Sequence, residues 1–201
     1  MLHESLESYN KGTSDKVITI LNYDIAIANA KSRCLSDLYF VPCDSLNLLF
    51  SKHKILGDKL IDIYEINKDT ELYVIIYKNE MIISAECREF KFSENSSNKF
   101  YNCKKIKSIH LEHVDTYEIV NMNYMFSGCN NLEYIVARQD AFKNAKFADL
   151  AFKDCSKLRE IDFNKLGMHN IEYAYRMFYG CDSLKTIIAE KLNFDTDHLF
   201  Y

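Results

Sequence analysis

The chain has 201 residues, 48% of them hydrophobic, and a formal net charge of -4. That length suits one large domain or two small ones, and the apolar fraction is enough to build a core. The mild negative charge, with no polybasic run, argues against nucleic acid or a membrane surface as partner.

The first residues, Met-Leu-His-Glu-Ser-Leu-Glu-Ser, have neither a basic n-region nor an apolar h-region. No apolar run approaches the ~18–20 residues of a membrane span. A cytoplasmic location, in the source cell or in a host, is the expectation. Seven cysteines stand at 34, 43, 87, 103, 129, 155 and 181, and none forms a C-x-x-C pair. Wide spacing without a signal favours reduced, buried thiols over disulfides, a zinc knuckle or a redox pair.

In chain order, Val17–Leu21 is the first strand candidate. Asp44 and Ser45 can N-cap a helix over about 45–54, ending before Gly57. Leu72–Tyr77 and Met81–Ala85 flank Lys78-Asn79-Glu80 as a hairpin. Residues 1–92 read as a small α+β region placed to cap the C-terminal half. Residues 93–98, Ser-Glu-Asn-Ser-Ser-Asn, read as a linker.

From residue 99 to the end the sequence is periodic. Cys103, Cys129, Cys155 and Cys181 are 26 residues apart. Three residues before each stands Phe (100, 126, 152, 178). Three after stands Ile106, Leu132, Leu158 or Leu184, and six after stands Ile (109, 135, 161, 187). A single unit cannot bury its own apolar face, so the units must stack, each side chain on its counterpart. Each unit has one short strand signal, as in Glu160-Ile161-Asp162-Phe163. The apolar stretch before each Cys, such as Met122–Phe126, reads as a short helical or irregular turn.

Met125-Phe126-Ser127-Gly128-Cys129-Asn130-Asn131-Leu132 and Met177-Phe178-Tyr179-Gly180-Cys181-Asp182-Ser183-Leu184 resemble the MF-x-G-C-x-x-L core of the BspA-like leucine-rich repeats. Ala151–Leu158 is similar to the AF-x-x-C-x-x-L variant. The first unit, Phe100–Ile106, departs from it by lacking the Gly. The resemblance covers about residues 99–197. It implies an α+β chain ending in a short solenoid of about four rungs, and recognition of a protein or surface.

No catalytic pattern competes with this reading. The Cys ladder gives one thiol per unit and does not converge as a metal site requires. His110 and His113 point to opposite faces of a strand. Cys34, Cys43 and His53 lack any nucleophile signature, and no Gly-rich phosphate loop occurs. No cofactor, metal or catalytic residue is expected.

The outward strand positions are the candidate site. If the repeated Ile points inward, its neighbours Ser108, His110 and Glu112, then Tyr134, Val136 and Arg138, then Glu160, Asp162 and Asn164, then Thr186, Ile188 and Glu190 point outward and form a grid. The grid varies between units while the inward positions do not. The expectation is a non-enzymatic module that binds a protein partner through this face. The alternative is an intracellular inhibitor or effector from a virus, phage or pathogen. The apolar tail Leu199-Phe200-Tyr201 has two roles open to it, folding back as a cap or docking onto a second copy as a homodimer.

Overall fold

The computed structural model describes residues 17–20, 37–43, 60–67, 72–77, 80–190 and 192–201. The helix expected over 45–54, and Cys34 and His53, lie outside the described residues. Eleven strands are described: β1 (Val17–Ile20), β2 (Asp37–Cys43), β3 (Leu60–Asn67), β4 (Leu72–Tyr77), β5 (Glu80–Glu86), β6 (Glu89–Phe92), β7 (Ser108–His110), β8 (Val114–Asp115), β9 (Tyr134–Val136), β10 (Glu160–Asp162) and β11 (Thr186–Ile188). Helix is scarce among the described residues: α1 (Phe163–Leu166) is one turn, followed by a 3-10 turn at Met168–Asn170.

The expected hairpin is present, since β4 and β5 pair antiparallel, Ile75 opposite Ile82. Strand β3 adds to β4 on the other side. The order of this sheet is β3-β4-β5-β2-β7-β9. From β5 onward the pairs are parallel, as stacked repeats require. Strands β1, β6 and β8 form a second parallel sheet, and β10 and β11 a third.

Strand β2 sits where periodicity alone would not put it. Ile109 minus one period is Ile83 in β5, so β5 is the natural neighbour of β7. Instead Leu38 of β2 pairs with Ile109 on one side and Met81 of β5 on the other. An upstream segment is thus wedged between two successive repeat strands. The supposed linker is also part of the stack: Asn95 bridges Asn121, which bridges Phe147, which bridges Tyr173. Ser96 is fully buried. Residues 38 and 40 share one continuous apolar cluster with Phe100, Cys103 and the later units.

The segments before each Cys are chained turns, not helices. Their amides alternate between two kinds of partner. Those of Met122, Tyr124, Phe126 and Gly128 donate to Phe147, Asp149, Ala151 and Lys153 of the next unit. Those of Met125, Ser127 and Cys129 donate three residues back within the unit. With the Asn123 amide donating to the Asn121 side chain, every amide from Met122 to Cys129 is satisfied without a helix. The geometry needs left-handed backbone at two columns: Asn98, Tyr124, Leu150 and Arg176 (φ 51 to 60°), and Asn102, Gly128, Asp154 and Gly180 (φ 59 to 76°). In the second column side chain and glycine alternate. A Cβ on Gly128 would run into the Asn102 carboxamide, with Cγ only 3.2 Å away, and one on Gly180 into Asp154, with Cα at 3.3 Å. Asn and Asp are among the residues that best tolerate this conformation. Asn102 thus replaces the glycine missing from the first unit.

Inside the stack the Phe rings lie nearly parallel, Phe100 to Phe126 at 5.3 Å, Phe126 to Phe152 at 5.1 Å and Phe152 to Phe178 at 5.6 Å. Burying each ring contributes about 1.5–3 kcal/mol. The tail closes the last unit. Arg176 and Phe178 amides donate to the His198 and Leu199 carbonyls, Leu199 is buried, and Phe200 lies 5.9 Å from Phe178. Of the two roles open to the tail, folding back is the one observed.

Candidate functional site

The cysteine column is more than a stack of small apolar groups. Cys129, Cys155 and Cys181 each donate their thiol to the carbonyl of the Phe one unit back, at 3.1, 3.1 and 3.0 Å. Ala or Val could fill the space but could not make that bond. Burial pushes all three thiols up, Cys181 to about 12. A thiol with so little thiolate character is a poor nucleophile and a poor metal ligand. Cys43 lies on β2.

The strand face divides into two groups. In the first, His110 pairs across from Val136 and its ring stacks on Tyr39 at 4.1 Å. Tyr134 meets the same His110 ring edge-on at 6.3 Å and is 48% exposed. Arg138 turns aside to Glu89 at 2.9 Å and to the Glu112 carbonyl. In the second group Glu160 lies across from Thr186, and Asp162 from Ile188. Glu160, Thr186 and Ile188 are exposed. Asp162 is half-buried and caps α1 by accepting the Lys165 amide at 2.9 Å. Among the described residues no strand pairing joins β9 to β10, so the expected four-strand grid is two pairs of strands. The chain passes from Asp162 directly into α1, and β10, like β7, β9 and β11, is three residues long.

Ser108 corrects one expectation: it is buried, not outward. Its hydroxyl donates to Asp37 of β2 at 2.6 Å and lies 3.0 Å from His110 Nε2. His110 Nδ1 is 3.5 Å from Glu112. Partial burial opposes ionisation of Glu112, but the His110 bond and nearby His113 hold its carboxyl below the usual range. This Asp37–Ser108–His110–Glu112 row locks β2 onto β7. The serine is closed to substrate, so the row does not act as a nucleophile.

The turn face carries exposed residues that the strand pattern does not point to. Three tyrosines of the last unit are about half exposed there: Tyr173 at 53%, Tyr175 at 49% and Tyr179 at 42%. The signal was present, since the corresponding residues of the unit Met122–Cys129 and its approach are Asn121, Asn123 and Ser127. A separate cleft of about 250 Å³ is lined by Asn144, Asn170, Asn193, Lys146 and Glu172 among others. Its amide groups already donate to backbone carbonyls, and Lys146 pairs with Glu172 at 3.1 Å.

The family described as BspA type leucine rich repeat region matches residues 82–201, in six copies. The match starts earlier than residue 99. Its start falls in β5, the strand one period before β7, so a unit counted from its strand begins there and ends with the Phe100–Cys103 turn. No curated protein and no solved structure matches the chain.

Proposed function

We infer, for a chain that belongs to the BspA-type leucine-rich repeat family, a non-enzymatic protein-interaction module built as a short solenoid. Leucine-rich repeats generally mediate protein–protein interaction. One observation carries the reading to a surface. Along the strands the inward Ile109 and Ile161 are buried, while outward Tyr134 and Ile188 are 48% and 38% exposed and differ from unit to unit. Exposed aromatic and aliphatic side chains on a constant scaffold are what a protein contact uses. Tyr134, Val136 and His110 form one contact group. Glu160, Asp162, Thr186 and Ile188 form the other, with Arg138 at the rim.

The test is binding by the triple variant Tyr134→Ala, Asp162→Asn, Ile188→Ala. Asn keeps the helix cap that Asp162 provides. A partner is first captured from the native host, identified by mass spectrometry and purified. The variant should bind it at least 100-fold more weakly with an unchanged unfolding midpoint. Unchanged binding refutes the strand face.

A further inference from the structure

We propose that the turn face of the last unit is a second docking site, and that it takes a protein segment presenting one Asp or Glu carboxylate beside an apolar side chain. The inference is independent of the strand-face reading. It rests on Arg176 and the rings around it. The Arg176 guanidinium carbon lies 5.1 Å from the Tyr175 ring centre and 5.6 Å from that of Tyr179. Lys153 approaches the same Tyr179 ring at 5.8 Å. Tyr173 extends the surface by stacking on Phe147 at 5.1 Å. Two rings therefore hold a guanidinium at the surface, where its planar donors are free to take a carboxylate two-pronged.

Among the described residues no carboxylate pairs with Arg176. Acids around it have other partners: Asp149 accepts the Tyr175 amide at 2.7 Å, Asp154 pairs with Lys153 at 3.5 Å, and Asp195 lies 3.4 Å from His198, whose ring is beside Tyr175. The site thus offers one uncompensated cation framed by rings and bordered by fixed negative charge. That complement fits a single carboxylate with apolar flanks. It repels a polyanion, which needs a row of cations. Tyr and Arg are also the side chains that dominate binding energy where they cluster. The scaffold does not require them. The unit one period earlier than the last carries Phe147, Asp149, Leu150 and Lys153 at the four positions. The unit before that carries Asn121, Asn123, Tyr124 and Ser127.

The repeat itself supplies substitutions that keep the backbone. Arg176 has φ 51°, and Asn98 takes the same conformation in the first unit, so Arg176→Asn is compatible with the fold. Tyr175→Asn and Tyr179→Ser likewise copy Asn123 and Ser127. The full chain is panned against a phage-displayed random dodecapeptide library, and the enriched peptides are synthesised and titrated. The expected result is peptides with Asp or Glu next to an apolar residue. Their binding should fall at least ten-fold in Arg176→Asn and in Tyr175→Asn/Tyr179→Ser, while the strand-face triple variant retains it. Four results overturn the proposal. They are no enrichment over Arg176→Asn, enriched peptides lacking an acidic residue, Arg176-dependent binding of an oligothymidylate, and a dimer by light scattering that Arg176→Asn abolishes. In the last case the occupant is a second copy of this chain.

Discussion

Replacing Gly128 with alanine tests the alternating column directly. Left-handed backbone costs a residue with a Cβ about 1–2 kcal/mol. Restricting the unfolded chain returns about 0.4–1 kcal/mol of this. The new methyl group also meets the Asn102 side chain, whose Cγ would be 3.2 Å away. Asn102 must leave its rotamer, at about 0.5–1.5 kcal/mol. The sum is a loss of about 2 kcal/mol. Urea unfolding should show it as a lower midpoint with an unchanged slope. The steric part can be isolated. In an Asn102→Gly background the methyl group meets the residue 102 Cα at 3.4 Å, an ordinary contact, and Gly128→Ala should then cost only about 1 kcal/mol, leaving a coupling of about 1 kcal/mol in the double-mutant cycle. Additive costs would show that the column is set by backbone angle alone. A Gly128→Ala protein as stable as the parent would refute the reasoning altogether.

The core sets two further outcomes. Burial holds the Cys129, Cys155 and Cys181 thiols above their ordinary value of 9.0. The native state therefore keeps protons that the unfolded chain sheds above pH 9. Stability should be level up to that pH and fall beyond it, by up to about 1.4 kcal/mol per thiol per pH unit. Urea midpoints measured from pH 7 to 11 check this, and Cys181→Val should flatten the decline. Removing residues 195–201 uncovers Phe178 and strips partners from the Arg176 and Phe178 amides. The truncated chain should lose about 2–3 kcal/mol, and those two amides should become the first of their unit to exchange with deuterium. Protected amides in the truncated chain would show that the tail covers nothing.

The repeat was legible because its inward positions each hold one kind of residue. Phe recurs because each ring stacks on its own copy, and Cys because each thiol reaches the Phe carbonyl one unit back. The wedge was not legible. Leu38 and Phe40 have no counterpart one period away, and their pairing is decided by a fit between segments about 70 residues apart. The same cause hid the burial of Ser108, since alternation places it outward, where Asp37 of β2 comes over it from outside the repeat. Exposure of Tyr134 and Ile188 could be read from alternation within a strand. The break between β9 and β10 could not, because alternation within a strand says which way a side chain faces and not whether two successive strands pair. The early start at residue 82 is not legible from the repeat because Val74, Tyr77 and Glu80 stand where Phe, Cys and Leu would be.

The wedge also constrains how the chain can assemble. For β7 with β9, and for β10 with β11, the partner strand is the one 26 residues along, and short loops close faster than long ones. By that rule β5 and β7 would meet first and shut out β2. Any molecule that paired them would have to reopen a parallel ladder before Asp37–Cys43 could enter. The native order of strands is reached without such reopening when the N-terminal segment is already lying on β5 as β7 arrives. That is the sequence in which these pieces leave a ribosome.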